Sequence, residues 1–339
     1  MTSSFLGSDQ SEGVGREYGP TALDCYLQPQ RRANRKRVTS RVSLAVKNTR
    51  YDYSPIIRRS PVKWPHGARV ALWVCPNIEY FYLGKALRGG FGTSHVPDVT
   101  GYSLRDYGSR VGVFRLMDIL DKHGIRASVL LNADVCKNQP QIIEEGNKRK
   151  WEWLGHGLTN NLALNDYPPE EERRIIRETT EIITEATGKR PKGWLGPGLM
   201  ESFDTPDWLA AEGYEYVCDW GCDDQPIPMR VKSGRMIAMP YDQGINDINI
   251  FLRQNHTPGQ YLRMVCDQFD TLYQEGSASA RVMAIPLHPF IIGFPFRIKY
   301  LDKALEYICS HGDVWRATGW EIAEWTYKHD YEDPGRPSS

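Results

Sequence analysis

The chain has 339 residues, of which 40% are hydrophobic and 25% charged, and its 42 basic and 42 acidic side chains give a formal net charge of zero. This composition is typical of one large globular domain, and the neutral balance gives no reason to expect a nucleic-acid partner. No apolar run approaches the roughly 20 residues that span a bilayer, and the amino terminus does not resemble a secretory signal. The seven cysteines form no CxxC pair, so we expect no disulfide framework and a protein of the reducing cytoplasm.

The first 48 residues differ in composition from the rest of the chain. Residues 31–50 hold eight basic side chains and no acidic one. Such a stretch predicts a disordered or loosely docked arm, with an anion-binding arm as the functional alternative. We therefore divide the chain into this arm (residues 1–48), a single catalytic domain (49–330) and a flexible tail (331–339).

Within the domain, short apolar runs typical of strands alternate with stretches of helical periodicity. Strands are predicted at 69–75, 127–131, 151–155, 214–218, 235–239 and 282–285. Helices are predicted at 109–123, from 140, at 169–187, near 205–212, within 257–275, at 297–310 and at 318–328. A long loop is predicted over 80–107. Strands alternating with helices predict an α/β fold with a parallel sheet, either open or closed into a barrel.

Polar or ionisable residues follow five of the predicted strands. They are Asn77 and Glu79, Asn132, His156, Asp219 and His288. The carboxyl ends of parallel strands are where α/β folds place their chemistry. The repetition of this pattern is the main evidence in the sequence for an active site.

Each of these residues has a functional and a structural interpretation. Glu79 could be a general base or could form a salt bridge in a loop. His156, between two glycines, could be a base, a hydrogen-bond donor or a metal ligand, or could be structural. His288 could protonate a leaving nitrogen, and Asp219 could orient that imidazole or could cap a turn.

Two tryptophans are weaker candidates. Trp194 directly follows Gly193, and Trp220 directly follows Asp219. Both side chains could line a pocket, although aromatic side chains belong more often to the core.

A resemblance to the polysaccharide deacetylase (NodB-homology) superfamily is carried by five segments in the expected order. They are Asn77-Ile-Glu-Tyr, His156-Gly-Leu-Thr-Asn160, Arg190-Pro-Lys-Gly-Trp, Asp219-Trp and Leu287-His288-Pro289. With the lead-in Trp64-Pro-His-Gly-Ala-Arg-Val-Ala, the chain is most similar to the branch of metal-independent allantoinases and cyclic imide hydrolases. The resemblance covers roughly residues 50–327. It implies a distorted (β/α) barrel with about seven parallel strands, and hydrolysis of non-peptide carbon–nitrogen bonds.

The sequence departs from the metal-dependent members of that superfamily at the ligand positions. Those members carry a paired Asp-Asp after the first strand and an HxxxH motif. Here the pair is Glu79-Tyr80 and the second His position is Asn160, while the motif arginine that partners the base falls at Leu195. Because a tight zinc site needs three protein ligands, the resemblance implies no cofactor. A weakly held divalent metal at His156 is left open.

The sequence thus predicts a metal-free hydrolase of a small cyclic or linear amide, imide or ureide. Glu79 would take a proton from the attacking water, and His288, charged by Asp219, would protonate the leaving nitrogen. His156, Asn160 and backbone amides would hold the oxyanion. Substrate binding is assigned to Tyr80, Asn77, Asn160, Trp194, Glu201, Trp220 and Asp223.

Two alternatives remain open from the sequence. One is a metal-dependent deacetylase of polysaccharides or N-acetyl sugars, and the other is a catalytically inactive homologue that binds a ligand or partner. The expected partner is a small-molecule substrate, with neither nucleic acid nor membrane, and the resemblance implies a homo-oligomer.

Overall fold

A single sheet organises the domain. The computed structural model describes residues 46–87 and 95–331, and these elements belong to the unit Asn48–Ser339. The predicted arm and tail lie outside the described residues except for 46–48 and 331, as do residues 88–94 of the predicted loop. The strands found in the described ranges are β1 (Val70–Ile78), β2 (Ser128–Leu131), β3 (Glu152–Gly155), β4 (Gly193–Trp194), β5 (Tyr216–Val217), β6 (Ile227–Met229), β7 (Met236–Ala238), β8 (Arg281–Leu287) and β9 (Val314–Arg316).

Ten α-helices accompany the strands in the described residues. They are α1 (Val99–Tyr107), α2 (Val113–Lys122), α3 (Ala133–Asn138), α4 (Pro140–Lys148), α5 (Pro169–Thr187), α6 (Thr205–Ala211), α7 (Pro258–Glu275), α8 (Pro289–Ile292), α9 (Pro295–Cys309) and α10 (Gly319–His329). Each helix from α4 to α9 has proline at its first or second position, where the missing N–H costs no hydrogen bond. Capping boxes begin α7 and α10. None of the helices in the described ranges has the length and apolar character needed to cross a bilayer.

The sheet curls into an incomplete barrel with β1 near one end. The strand order is β6-β7-β5-β4-β3-β2-β1-β8, and every pair is parallel except β6 with β7. One edge of β1 pairs with β8 from Val70 to Pro76, and the other edge pairs first with β9 and then with β2. Between the outer strands β6 and β8, the Val282 N–H donates to the carbonyl of Asp224 at 2.8 Å. The distorted barrel is confirmed, with eight strands in parallel pairs rather than about seven.

Side chains of β1 alternate between the barrel interior and the surrounding helices. Trp73 and Cys75 lie in the interior cluster with residues of β5 and β7. Leu72 and Val74 lie in the cluster formed with the helices. Because side chains on a strand alternate with a period of two, the interior face continues through residue 77 to Glu79, just beyond the end of the strand.

All six predicted strands and all seven predicted helices overlap observed elements. The loop predicted over 80–107 is wrong in its last part, since α1 occupies Val99–Tyr107 and begins with the Asp98 carboxylate accepting from the Gly101 N–H at 2.8 Å. Strands β4, β6 and β9 were not predicted because two or three residues show no measurable periodicity.

Candidate active site

Three ionisable side chains converge inside the barrel at the carboxyl ends of its strands. Glu79 follows β1, His156 follows β3 and His288 follows β8, each in register with interior residues of its strand. Glu79 Oε1 lies 3.6 Å from His156 Nε2 and 3.7 Å from His288 Nε2. The Glu79 side chain is only 5% exposed. A carboxylate between two imidazoles can exchange protons with a small molecule placed among them.

The orientation of His156 is fixed by the next strand of the sheet. Its Nδ1 lies 2.7 Å from the carbonyl oxygen of Leu195, which directly follows β4. A carbonyl only accepts, so Nδ1 carries a proton and Nε2 is directed toward Glu79. This Nε2 is buried and has no hydrogen-bond partner among residues 46–87 and 95–331. A Cβ on Gly155 would lie 2.4 Å from the Trp194 ring, so glycine is required beside this histidine.

His288 is held by Asp247. Its Nδ1 lies 2.7 Å from Asp247 Oδ1, and its backbone N–H donates to Asp247 Oδ2 at 2.8 Å. Asp247 is fully buried. Burial acts to lower the pKa of His288, but Asp247, with a further contribution from Glu79, outweighs it and raises this pKa above its usual value of 6.5. The imidazole is therefore favoured in its protonated form.

The prediction that Asp219 orients His288 is wrong in its geometry. Both carboxylate oxygens of Asp219 accept from the Gly196 N–H, at 2.9 and 3.0 Å. Burial, and next the neighbouring Glu201, raise the pKa of Asp219 well above its usual value. Asp219 thus supports the Leu195–Gly196 backbone that holds His156. The carboxylate beside His288 is that of Asp247, which lies in a different segment of the chain. The sequence did not indicate this contact because it depends on the path of that segment.

Arg105 is a buried cation near this cluster that the sequence interpretation missed. Its guanidinium carbon lies 4.7 Å from the Phe81 ring centroid and 5.5 Å from that of Phe290. Burial lowers the pKa of Arg105, while the negative charges of Glu79 and Asp98 oppose that shift. The only sequence signal was its position in the segment 102–107, which was assigned to a loop.

The three residues assigned to substrate binding near Glu79 occupy different surroundings. Asn77 Nδ2 donates to the Tyr241 hydroxyl at 2.9 Å and to the Leu287 carbonyl at 3.2 Å, so its amide joins strands beneath the site. The Asn160 N–H donates to the Tyr80 carbonyl at 3.0 Å, and Asn160 Oδ1 is buried without a hydrogen-bond partner in the described part of the chain. Tyr80 lines the small cavity beside Glu79.

The other four assigned residues lie farther from Glu79 or belong to the core. Trp194 is 0% exposed and its ring centroid packs 5.3 Å from that of Tyr214, so it does not wall a pocket in this structure. Trp220 Nε1 donates to Glu201 at 2.8 Å. Asp223 forms an ion pair with Arg59 and lines a separate cavity.

Two cavities lie at the carboxyl ends and the open seam of the barrel. The cavity against Glu79 has a volume of about 10 Å³ and is lined by Glu79, Tyr80, Phe81, Tyr102, Arg105, Asp106, Ser109 and Gln139. That volume corresponds to about one water molecule. A larger cavity of about 730 Å³ lies at the seam, between β8 and the loops that follow β5 and β7. Of the three ionisable groups of the cluster, Glu79 lines the smaller cavity.

Comparison with known proteins shows what this arrangement is similar to. Residues 100–217 match the family model described as Polysaccharide deacetylase. This part of the chain is therefore similar to the polysaccharide deacetylases. A relative from Schizosaccharomyces pombe, provisionally named a polysaccharide deacetylase, is 26% identical over 79% of this chain and 94% of the relative.

Solved structures resemble this chain over most of their length. The crystal structure of Puue allantoinase is 27% identical, with a TM-score of 0.72 over 79% of this chain and 94% of that chain. A probable polysaccharide deacetylase from Pseudomonas aeruginosa PAO1 is also 27% identical, with a TM-score of 0.72 over 79% and 95% of the two chains.

The donor atoms of the candidate site do not fit a three-ligand zinc site. No group of three or more His, Cys, Asp or Glu side chains in the described residues is arranged to hold a metal ion. Tyr80 stands at one of the ligand positions that the resemblance implies. Burial is the largest cause that raises the pKa of its phenol, and the nearby Tyr102 and Asp134 raise it further. The phenol therefore stays protonated and is a poor metal ligand. Asn160 at the other position offers only a neutral amide.

Proposed function

We propose that this domain hydrolyses a carbon–nitrogen bond in a small amide, imide or ureide, without a bound metal. The observation that carries this proposal is the Glu79 carboxylate between the Nε2 atoms of two buried imidazoles. The likeness to Puue allantoinase supports this class of reaction. The small cavity beside Glu79 has room for about one water molecule, which is the nucleophile that this reaction needs.

Glu79 acts as the general base. A water molecule in the cavity beside Glu79 gives its proton to the carboxylate as its oxygen forms a bond to the substrate carbonyl carbon. His156 Nε2 presents a lone pair because Nδ1 donates to Leu195. It therefore accepts a hydrogen bond from the same water and orients it, instead of donating to the oxyanion as the sequence suggested.

His288 acts as the general acid. The carbon–nitrogen bond breaks as the leaving nitrogen takes a proton from Nε2 of the imidazolium. Asp247 supplies the negative charge that raises the pKa of this ring and so favours its protonated form. A ring amide suits the site because its leaving nitrogen stays tethered beside the acid.

A metal-dependent deacetylase of N-acetyl sugars is the second candidate. It is favoured by the relatives named as deacetylases and by the ring of His156. A histidine whose Nδ1 is anchored on a carbonyl, with Nε2 unpartnered in the described residues, has the orientation of a metal ligand.

Glu79→Gln tests the leading proposal because glutamine keeps the shape of the side chain but cannot accept a proton. Proton release at neutral pH would be measured with hydantoin, succinimide and allantoin, and acetate release with N,N′-diacetylchitobiose, each with and without EDTA. We expect chelator-resistant release from at least one ring substrate, reduced about 10²–10⁴-fold in Glu79→Gln.

Glu144→Gln, an exposed carboxylate on α4, is the matched control and should retain the wild-type rate. If EDTA abolishes proton or acetate release and the purified protein contains stoichiometric metal, the metal-dependent deacetylase would replace the leading proposal. Undiminished turnover by Glu79→Gln would remove Glu79 from the mechanism.

A further inference from the structure

Arg105 is fixed in place by aromatic rings and by its own helix. Its Nη1 donates to the Gly101 carbonyl one turn earlier, at 2.9 Å. The guanidinium lies over the faces of Phe81 and Phe290, at 4.7 and 5.5 Å. A guanidinium stacked on aromatic rings keeps its charge and loses little freedom when it binds an oxygen.

The helix that carries Arg105 packs closely on the turn that follows His288. A π-helical turn, Gly108–Gly112, joins α1 to α2. A Cβ on Gly108 would lie 2.5 Å from the Phe290 nitrogen, and one on Gly112 would lie 2.2 Å from the Pro289 oxygen. Because both glycines lie directly against the backbone of the turn that follows His288, the positions of Arg105 and His288 are coupled through this contact. π-Helical turns occur frequently at functional sites.

The charge of Arg105 acts on the proposed base and acid together. Arg105 and Glu79 line the same small cavity. The negative charge of Glu79 acts to raise the pKa of Arg105, and the positive charge of Arg105 acts to lower the pKa of His288. Arg105 therefore places a buried positive charge at the cavity beside the proposed base.

We propose that Arg105 contacts the acyl oxygen of the substrate and stabilises the negative charge that develops on it during hydrolysis. This inference rests on the proposed function. With Nδ1 donating to the Leu195 carbonyl, a neutral His156 has no proton on Nε2 with which to hold an oxyanion. Arg105 reaches the site from α1 instead, and in a buried site such a charge stabilises an oxyanion more than it would in water.

The first experiment compares Arg105→Met and Arg105→Lys with wild type on the ring substrates. Methionine keeps much of the apolar packing, and lysine keeps the charge. We expect kcat/KM to fall about 10²–10³-fold in Arg105→Met, mainly through kcat, and less in Arg105→Lys. The alkaline limb of the pH profile should also move to higher pH in Arg105→Met, because the positive charge that lowers the pKa of His288 is gone.

Arg110→Met is the matched control, since Arg110 lies in the adjoining π-helical turn and forms an exposed ion pair with Asp106. It should change kcat/KM by less than about twofold. Thermal unfolding of each variant would show whether the fold is retained.

A second measurement keeps the inference testable when no ring substrate turns over. Hydantoate and succinamate, the ring-opened acids, would be titrated calorimetrically into wild type and Arg105→Met, because a carboxylate binds a guanidinium as an oxyanion does. Binding weakened about tenfold or more in Arg105→Met would support the contact even if the proposed function had failed. Unchanged binding, absence of binding to wild type, or wild-type turnover by Arg105→Met would overturn it.

Discussion

The imidazole of His288 is held at two points by one carboxylate, on its ring and on its backbone. Asp247 therefore fixes the position of the ring and raises its pKa at the same time. A single side chain with both functions is a sensitive place for substitution.

Asp247→Asn should separate these two functions. The amide keeps much of the geometry but removes the negative charge, so the pKa of His288 should fall. The alkaline limb of kcat/KM, which requires protonated His288, should then move to lower pH, and the rate at pH 8 should fall about 10²–10⁴-fold. The pH–rate profile measures this directly.

Asp219→Asn provides the comparison, since Asp219 contacts Gly196 and not His288. Its alkaline limb should stay at the wild-type pH. A limb that moved in Asp219→Asn and stayed in Asp247→Asn would restore the role that the sequence assigned to Asp219.

Residues at strand ends were predictable, whereas their partners from loops were not. Glu79, His156 and His288 each follow an apolar run, and the alternation of side chains along that strand places each of them on the interior face. Asp247 and Arg105 come from segments whose paths depend on packing that no local pattern encodes.

At the scale of elements, the helical segment from α1 to α2 packs closely against the turn that begins at His288, and the contact is made at glycines. Gly112 and Gly293 approach so closely that a Cβ on Gly293 would lie 2.4 Å from the Gly112 Cα. The longer elements were predictable because their periodicity extends over several turns or residues. The π-helical turn was not, because it depends on this contact.

Gly112→Ala should force the helix away from the Pro289 backbone. Overpacking of this kind costs about 1–3 kcal/mol, and the displacement of Arg105 and His288 should lower activity as well. Urea unfolding and the hydantoin assay would measure the two effects.

Gly259→Ala is the matched control in helix α7, where no atom lies within 4 Å of the added Cβ. That variant should be neutral or slightly stabilised. Equal unfolding midpoints for Gly112→Ala and wild type would contradict the close contact.

At the scale of the whole molecule, a pair of neighbouring carboxyl groups makes stability depend on pH. Burial raises the pKa of Glu201 from 4.5 to about 7, despite hydrogen bonds with Asp219 and Trp220 that lower it. Burial, and then Glu201, raise the pKa of Asp219. The folded state therefore holds a proton that the unfolded chain releases.

The free energy of unfolding should fall as pH rises from about 4.5 to about 7, because the folded state binds more protons than the unfolded state over that window. Glu201→Gln should reduce this fall by on the order of 1–3 kcal/mol. Urea unfolding at several pH values measures it. We expect the two carboxyl groups to hold one proton between them in the folded state. Adding Asp219→Asn to Glu201→Gln should then change the slope little further, and an additive change would contradict this expectation.

The pairing of β1 with β8 has a consequence for synthesis on the ribosome. The two strands are far apart in the chain: the Asn77 side chain at the end of β1 donates to the carbonyl of Leu287 in β8, 210 residues later. During translation, β1 and Glu79 leave the exit tunnel long before β8 and His288 exist. An apolar strand with an open edge pairs readily with other chains. In a nascent or truncated chain that stops before Arg281, the edge of β1 that pairs with β8 would be exposed, and a chaperone would be needed to cover it. Such a chain would contain Glu79 but not His288.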